Sequence, residues 1–428
     1  MKPRRAIIRS YQVGFGDCFL LSFDYETEQR HVLIDFGSTG LPEGVPKNQL
    51  DLIAKDIAKQ TGGKLTAVIA THRHKDHISG FATKKKGNSS GSIIAGLKPD
   101  LVLQPWTEDP DIAAAATGPR RRESSLAAYH VSSLAGMQLA AAKVLSEVRR
   151  VRYLTSELRN ELSFLGDNNL ANLDAIENLM TMGQRREYAS ALQATQLQDL
   201  LPGVTVDILG PPTIDQSATI EKQRSRDQDE FWHLMAHASS ALGPVKAGKV
   251  RSLFPLHEVA KNRDQFPIDA RWLINQAKRL RGDQMLRIVR ILDQALNNTS
   301  LILLFKAGSK SLLFPGDAQI ENWSYALNQP EIREKLKTVD LYKVGHHGSL
   351  NATPKSLWKL FEHKSKDAAL PGRLQTLMST MAHKHGAEER HTEVPRQTLV
   401  QALDRESTLF STQSLGVELF HPTVVEFE

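Results

Sequence analysis

Cysteine is almost absent. One residue in 428, Cys18, excludes an internal disulfide and any zinc site built from CxxC pairs. Long apolar runs are missing as well. The longest, such as LILLF at 301–305 and AVIA at 67–70, are strand-sized, far short of the ~18–20 residues that span a bilayer. The opening stretch, MKPRRAIIRSYQVGFGD, has basic residues but no apolar core of the ~7–15 residues a secretory signal needs. No membrane contact and a cytoplasmic location are therefore expected. A dominant charge is lacking too: 54 Lys+Arg against 48 Asp+Glu leave +6 and a pI near 9.2. That surplus is compatible with a polyanionic substrate and too small to require one. No internal repeat or low-complexity tract stands out.

What is present is a chain of 47.6 kDa with 40% hydrophobic residues, able to bury a large core and long enough for two or three domains. Its chemistry begins at residues 65–81, LTAVIATHRHKDHISGF. An apolar strand over 65–70 runs directly into His72, His74, Asp76 and His77. Side chains two apart on extended backbone point the same way, so His72 and His74 can face one point. Asp76 and His77 fall where the chain turns, and can face a second point close by. Imidazole nitrogen suits zinc and its relatives, and carboxylate oxygen tolerates zinc, manganese or iron. Two metals about 3.5–4 Å apart held in this way form a hydrolytic arrangement. The plain alternative is a polar loop that happens to hold three histidines.

Taken in order, residues 6–23 read as a hairpin around the glycine-rich VGFGD, with Asp17 capping the turn. HVLID (31–35) is a further strand, 48–61 has helical composition, and DLVLQ (100–104) is another strand. From 109 to 200 the composition shifts to Ala, Leu, Arg, Glu and Gln, with apolar residues at helical spacing in 124–165. VTVDIL (204–209) restores a strand. A second arginine-rich, helical stretch follows to 296, containing His233 and His237 four apart but without the glutamate of an HExxH zinc motif. NNTSLILLF (297–305) then leads into a strand, a turn at Gly308-Ser309 precedes another at 311–314, and one more follows at 341–344, with apolar runs at 374–378 and 414–420. Three distant segments thus share one layout, a strand followed by ligand-type residues: the His72 loop, Asp317 after 311–314, and His346-His347 after 341–344. In layered α/β folds such loops gather at one sheet edge.

HxHxDH is similar to the signature of the metallo-β-lactamase superfamily. VGFGD, LIDFG, THRHKDHISG, VDILGPP, NNTSLILLF, LLFPGDA and YKVGHHGS, in that order, resemble the soluble metallo-β-lactamase-like domain of the ComEC DNA-uptake family over about half of the chain. The resemblance implies an α/β fold, the αββα metallo-β-lactamase sandwich, with two helical insertions. Its core would occupy 1–108, 201–212 (a single strand) and 297–428, and the insertions 109–200 and 213–296. It implies that His72 and His74 bind one metal, that Asp76 and His77 bind a second, and that Asp317 bridges. His346 is favoured over His347 to complete the second site. Asp35, near a strand end, would organise the metal loop through hydrogen bonds. Many such hydrolases place another histidine about twenty residues before the bridging aspartate; here that region holds Asn297, Asn298 and Ser300, so Asn298 is a candidate contact. His391 is another, either touching substrate or lying in a solvated loop.

The function so implied is that of a zinc (alternatively manganese) hydrolase, a phosphodiesterase or nuclease acting on DNA, with Asp76 as the catalytic carboxylate. Hydrolysis of a small ester or cyclic nucleotide is the alternative. A third reading is a module regulated by a protein partner bound through the insertions.

Overall fold

Strands that are apolar on both faces need cover on both sides, and this chain builds two such sheets. The structure, a computed structural model, describes residues 1–83, 89–110, 173–213, 216–217, 296–349, 353–385 and 393–427. The chain divides into two units. All the elements below belong to the first, Met1–Val131 with Ala171–Gln223 and Gln294–Glu428; the second, Ser132–Leu170 with Arg224–Asp293, lies outside the described residues.

The first sheet contains β1 (Arg5–Tyr11), β2 (Cys18–Asp24), β3 (Gln29–Phe36), β4 (Ala67–Ile69), β5 (Leu101–Pro105), β6 (Arg185–Ala189) and β13 (Phe420–Glu426), in the order β13-β1-β2-β3-β4-β5-β6. Its pairs are antiparallel from β13 to β3 and parallel from β3 to β6, with Leu33 opposite Val68 and Val68 opposite Val102. The second sheet contains β7 (Val204–Gly210), β8 (Ile302–Ala307), β9 (Lys310–Phe314), β10 (Leu341–Lys343), β11 (Gln375–Met378) and β12 (Thr408–Ser411), ordered β12-β11-β10-β9-β8-β7. It too is mixed: antiparallel across β7, β8 and β9, parallel from β9 to β12.

Period-two alternation assigns each side chain to a layer. One apolar cluster takes Phe19, Leu21, Val32, Ile34, Ala67, Ile69 and Leu103 from the first sheet, and Val206, Leu303, Phe305, Phe314, Leu341 and Leu377 from the second. Phe19 and Phe314 meet edge to face within it at 5.8 Å. The intervening residues of the first sheet, Leu20, Leu33, Val68 and Val102, pack on α1 (Gln49–Gln60), α3 (Ser90–Gly96) and α4 (Leu173–Thr181). Those of the second, Leu304, Leu313 and Tyr342, pack on α6 (Ile320–Asn328), α7 (Pro330–Lys337), α8 (Lys355–Leu360) and α9 (Gln397–Glu406). α1 shows why these helices form: Gln49, Ile53, Ala54 and Ile57 make one buried stripe. Two short helices, α2 (Lys75–Ile78) and α5 (Leu197–Leu200), complete the elements used below. Among the described residues, no helix is long and apolar enough to cross a membrane.

One expectation changes. The stretch 109–200 is not wholly outside the core, because α4 and β6 follow in it and β6 extends the first sheet beside β5. RREYA escapes recognition because an edge strand needs only one buried face, here Tyr188 facing outward and Glu187 and Ala189 inward. In the apolar run at 414–420, a short turn over Thr412–Leu415 comes first and β13 begins at Phe420.

Candidate metal centre

The site lies where loops leave the ends of β3, β4, β9, β10 and β11. After β4 the chain stays extended through His72 and His74, and His74 (φ −61°, ψ 148°) opens the single helical turn α2 that carries Asp76 and His77. Arg73, between the histidines, points the other way and forks onto the buried carboxylate of Glu108. The backbone approaches closely here: a Cβ on Gly37 would stand 2.5 Å from the His77 nitrogen. Asp35 and the pair His346-His347 adopt left-handed φ of 55°, 43° and 52°, a strain of order 1–3 kcal/mol per residue that clusters at functional sites.

Asp35 organises the loop as expected. Its Oδ1 accepts the Thr71 N–H at 2.7 Å, and its Oδ2 accepts the Thr71 hydroxyl and His77 Nδ1–H, each at 2.7 Å. His77 must therefore carry its Nδ1 proton, leaving Nε2 to face Asp317 Oδ2 at 3.0 Å. His347 is fixed in the same way, since its Nδ1 sits 3.1 Å from the carbonyl of Ser379, which can only accept. Its Nε2 lies 3.0 Å from Asp76 Oδ2 and 3.7 Å from Asp317 Oδ2. For His72, Thr71 Oγ1 has already donated to Asp35 and can only accept the His72 Nδ1–H (3.2 Å). The Nε2 of His72 then faces His74 Nδ1 at 2.9 Å. At that distance either His74 donates its Nδ1 proton to His72 or a cation lies between the two nitrogens.

Asp76, His77, Asp317 and His347, all buried, form a group whose ligand atoms lie within 4.8 Å of one another and could hold a metal ion. Asp76 Oδ1 is buried without a hydrogen-bond partner among the described residues, as a carboxylate suited to a cation would be. Electrostatics point the same way. Burial pulls His77 down, but Asp317 and Asp35 outweigh it and hold the imidazole well above its ordinary range, so a cation at Nε2 must displace a proton. Burial would raise Asp317; His77, His347, His346 and Lys343 instead hold it well below the usual carboxylate range. His72 is pushed far down by burial first, and then by the neighbouring His77 and His74.

Neither a family model nor a curated protein matches this chain.

The remaining candidates separate clearly. His347, and not the favoured His346, belongs to the four-residue group. Three consecutive left-handed residues, His346 to Gly348 (φ 88°), turn the second ring inward. His346 supplies its backbone N–H to Asp317 Oδ1 at 3.0 Å, and its ring charge is felt at His72 and Asp317. Asp317 thus presents Oδ2 to the histidines while Oδ1 is engaged by the chain. Asn298 stands outside the group, its amide donating to Glu321 at 2.9 Å. His391, His233 and His237 lie outside the described residues.

Two members escaped the sequence reading. Asp17, read as a turn cap, is fully buried, and its carboxylate pairs with the buried ammonium of Lys343. Its backbone N–H reaches the Asp76 carbonyl at 2.9 Å, tying VGFGD to the metal loop. Lys343 also bonds the Gly316 carbonyl at 3.1 Å and stands 3.6 Å from Asp317 Oδ1. The available signal for Lys343 was its place in β10: a lysine two positions after Leu341 shares its inward face.

Proposed function

We propose that this chain is a metal-dependent hydrolase with the αββα sandwich of the metallo-β-lactamase fold, and that its substrate is the phosphodiester of DNA. One observation carries the reading. Two imidazoles whose Nδ1 protons are committed to Asp35 and to the Ser379 carbonyl turn their Nε2 atoms onto the buried carboxylates of Asp76 and Asp317. The sandwich is supported by the three apolar layers, one shared by both sheets and one between each sheet and its helices. DNA as substrate is supported by the resemblance of THRHKDH, LLFPGDA and YKVGHHGS to the ComEC domain, and by the +6 charge.

A zinc-type ion, or manganese in its place, supplies a Lewis acid and a water acidified toward neutrality. His77, His347, Asp76 and Asp317 would hold one such ion, and His72 with His74 a second. Asp35 and Ser379 fix the tautomers of the holding imidazoles, so that no ring has to reorient. Asp76 is kept well below the ordinary carboxylate range: burial opposes this, and His347 and His77 overcome it. Holding the ion, its carboxylate would also be placed to orient a water beside it.

The test is incubation of single- and double-stranded DNA with protein and zinc or manganese. Cleavage is expected, falling steeply with salt and reduced at least about a hundredfold in His72→Ala/His74→Ala. Intact DNA with both metals overturns the substrate assignment. Turnover of a chromogenic ester or cyclic nucleotide instead would keep the hydrolase and move its substrate to that class.

A further inference from the structure

Lys343 is 2% exposed, at the inner end of a parallel strand where an aliphatic residue would be the ordinary occupant. A buried ammonium is tolerated only when paired and hydrogen-bonded. Three oxygens surround this one: the Asp17 carboxylate, the Gly316 carbonyl at 3.1 Å and Asp317 Oδ1 at 3.6 Å. Burial opposes its charge, and Asp17 and Asp317 more than restore it, so Lys343 is cationic. Among the described residues, Lys343 is the nearest cation to Asp17, and the two imidazoles beside it stand farther off. The Asp17 oxygens lie 3.7 Å from His77 Nδ1 and His347 Nδ1, but those nitrogens donate to Asp35 and to Ser379.

We propose that Lys343 is a resident cation competing for Asp317, that Asp17 is the counter-ion holding it off, and that the pair thereby sets how tightly the centre takes up metal. This rests on the reading of Asp76, His77, Asp317 and His347 as a metal site. The two charges cancel as seen from the centre while the pair is intact. Remove the Asp17 charge, and Asp317 is the one carboxylate left within 4 Å of the ammonium among the described residues; the ammonium then opposes an incoming dication by its own repulsion and by occupying that carboxylate. Remove the Lys343 charge, and the Asp17 carboxylate becomes an extra anion beside His77 and Asp35, a grouping that itself has metal-ligand spacing. At these separations, and at the effective dielectric of buried sites, one unit charge alters the affinity for a dication by roughly tenfold or more.

A structural role and an electrostatic one differ in sign. If the pair only props up the loops, every variant weakens metal binding together with stability. If it tunes the centre, the single variants move affinity in opposite directions.

The experiment titrates zinc alone into the metal-free full chain in competition with a chromogenic chelator, and records the melting temperature of each metal-free protein. Asp17→Asn is expected to bind zinc at least about tenfold more weakly than wild type, and Lys343→Met more tightly. Asp17→Asn/Lys343→Met should return to within about threefold of wild type, even where all three melt lower. Where one single variant does not fold, the other must still differ from the double variant in the stated direction. Weakening in all three variants, with wild-type zinc binding intact, overturns this inference and leaves the metal site standing. A wild type that binds no zinc overturns both.

Discussion

From the seven-stranded sheet the centre takes Asp35 at the end of β3, then His72, His74, Asp76 and His77, which span six residues in the loop after β4. The six-stranded sheet contributes single residues from separate strand ends: Asp317 after β9, Lys343 and His347 at and beyond β10, and Ser379 after β11. The first half is fixed by hydrogen bonds among neighbours, Asp35 with Thr71 and His77. The second is fixed by a buried ion pair and by left-handed backbone at His346 and His347. The first half is therefore a local device carried by one motif, whereas the second exists only once the sheets have closed on their shared core.

The comparison breaks most sharply at His347. His347→Ala removes a group member and should lower zinc affinity at least about a hundredfold, whereas His346→Ala should cost no more than about tenfold. Chelator competition on both variants checks this, and equal losses would restore the two rings to equivalence. Asp35→Asn probes the first half. Without the carboxylate, the Nδ1 proton of His77 loses its charged acceptor and the ring its fixed tautomer. A loss of about 10–100-fold in zinc affinity is expected.

The smallest effect lies away from the centre, at His31, in the same sheet as the motif. Burial, and then Arg9, lower its pKa from 6.5 to about 4. The group is neutral in the fold, so its contribution is complete above pH 6.5. Between 6.5 and 4 the unfolded chain takes up a proton that the folded chain refuses, and stability falls. By pH 5 the loss is about 2 kcal/mol. Urea unfolding at pH 7 and pH 5 should show that fall in wild type and much less of it in His31→Gln.

Legibility in the sequence follows the same division. HxHxDH declared itself because its ligands are contiguous and follow an apolar strand, and β1 to β5 could be placed within one to three residues because each is a short apolar run between polar or turn residues. Asp317 was visible as a strand-end aspartate behind glycine. The choice within His346-His347 was not, because it turns on φ values that no neighbouring residue dictates. Asp17 looked like a turn residue; its burial arises only when Lys343 arrives from the other sheet, more than three hundred residues later. Asn298 has the chemistry of a ligand, but α6 draws its amide to Glu321. β6 was hidden by two arginines and a glutamate in five residues, tolerable at an edge and nowhere else in a sheet.

The central claim is that side chains from both sheets converge on one cation. A crystal of the zinc-soaked protein, with data collected on both sides of the zinc absorption edge, tests it most directly. The account expects an anomalous peak about 2.0–2.2 Å from His77 Nε2, His347 Nε2 and an oxygen of Asp317. No peak there, with zinc found only on surface histidines, would contradict it.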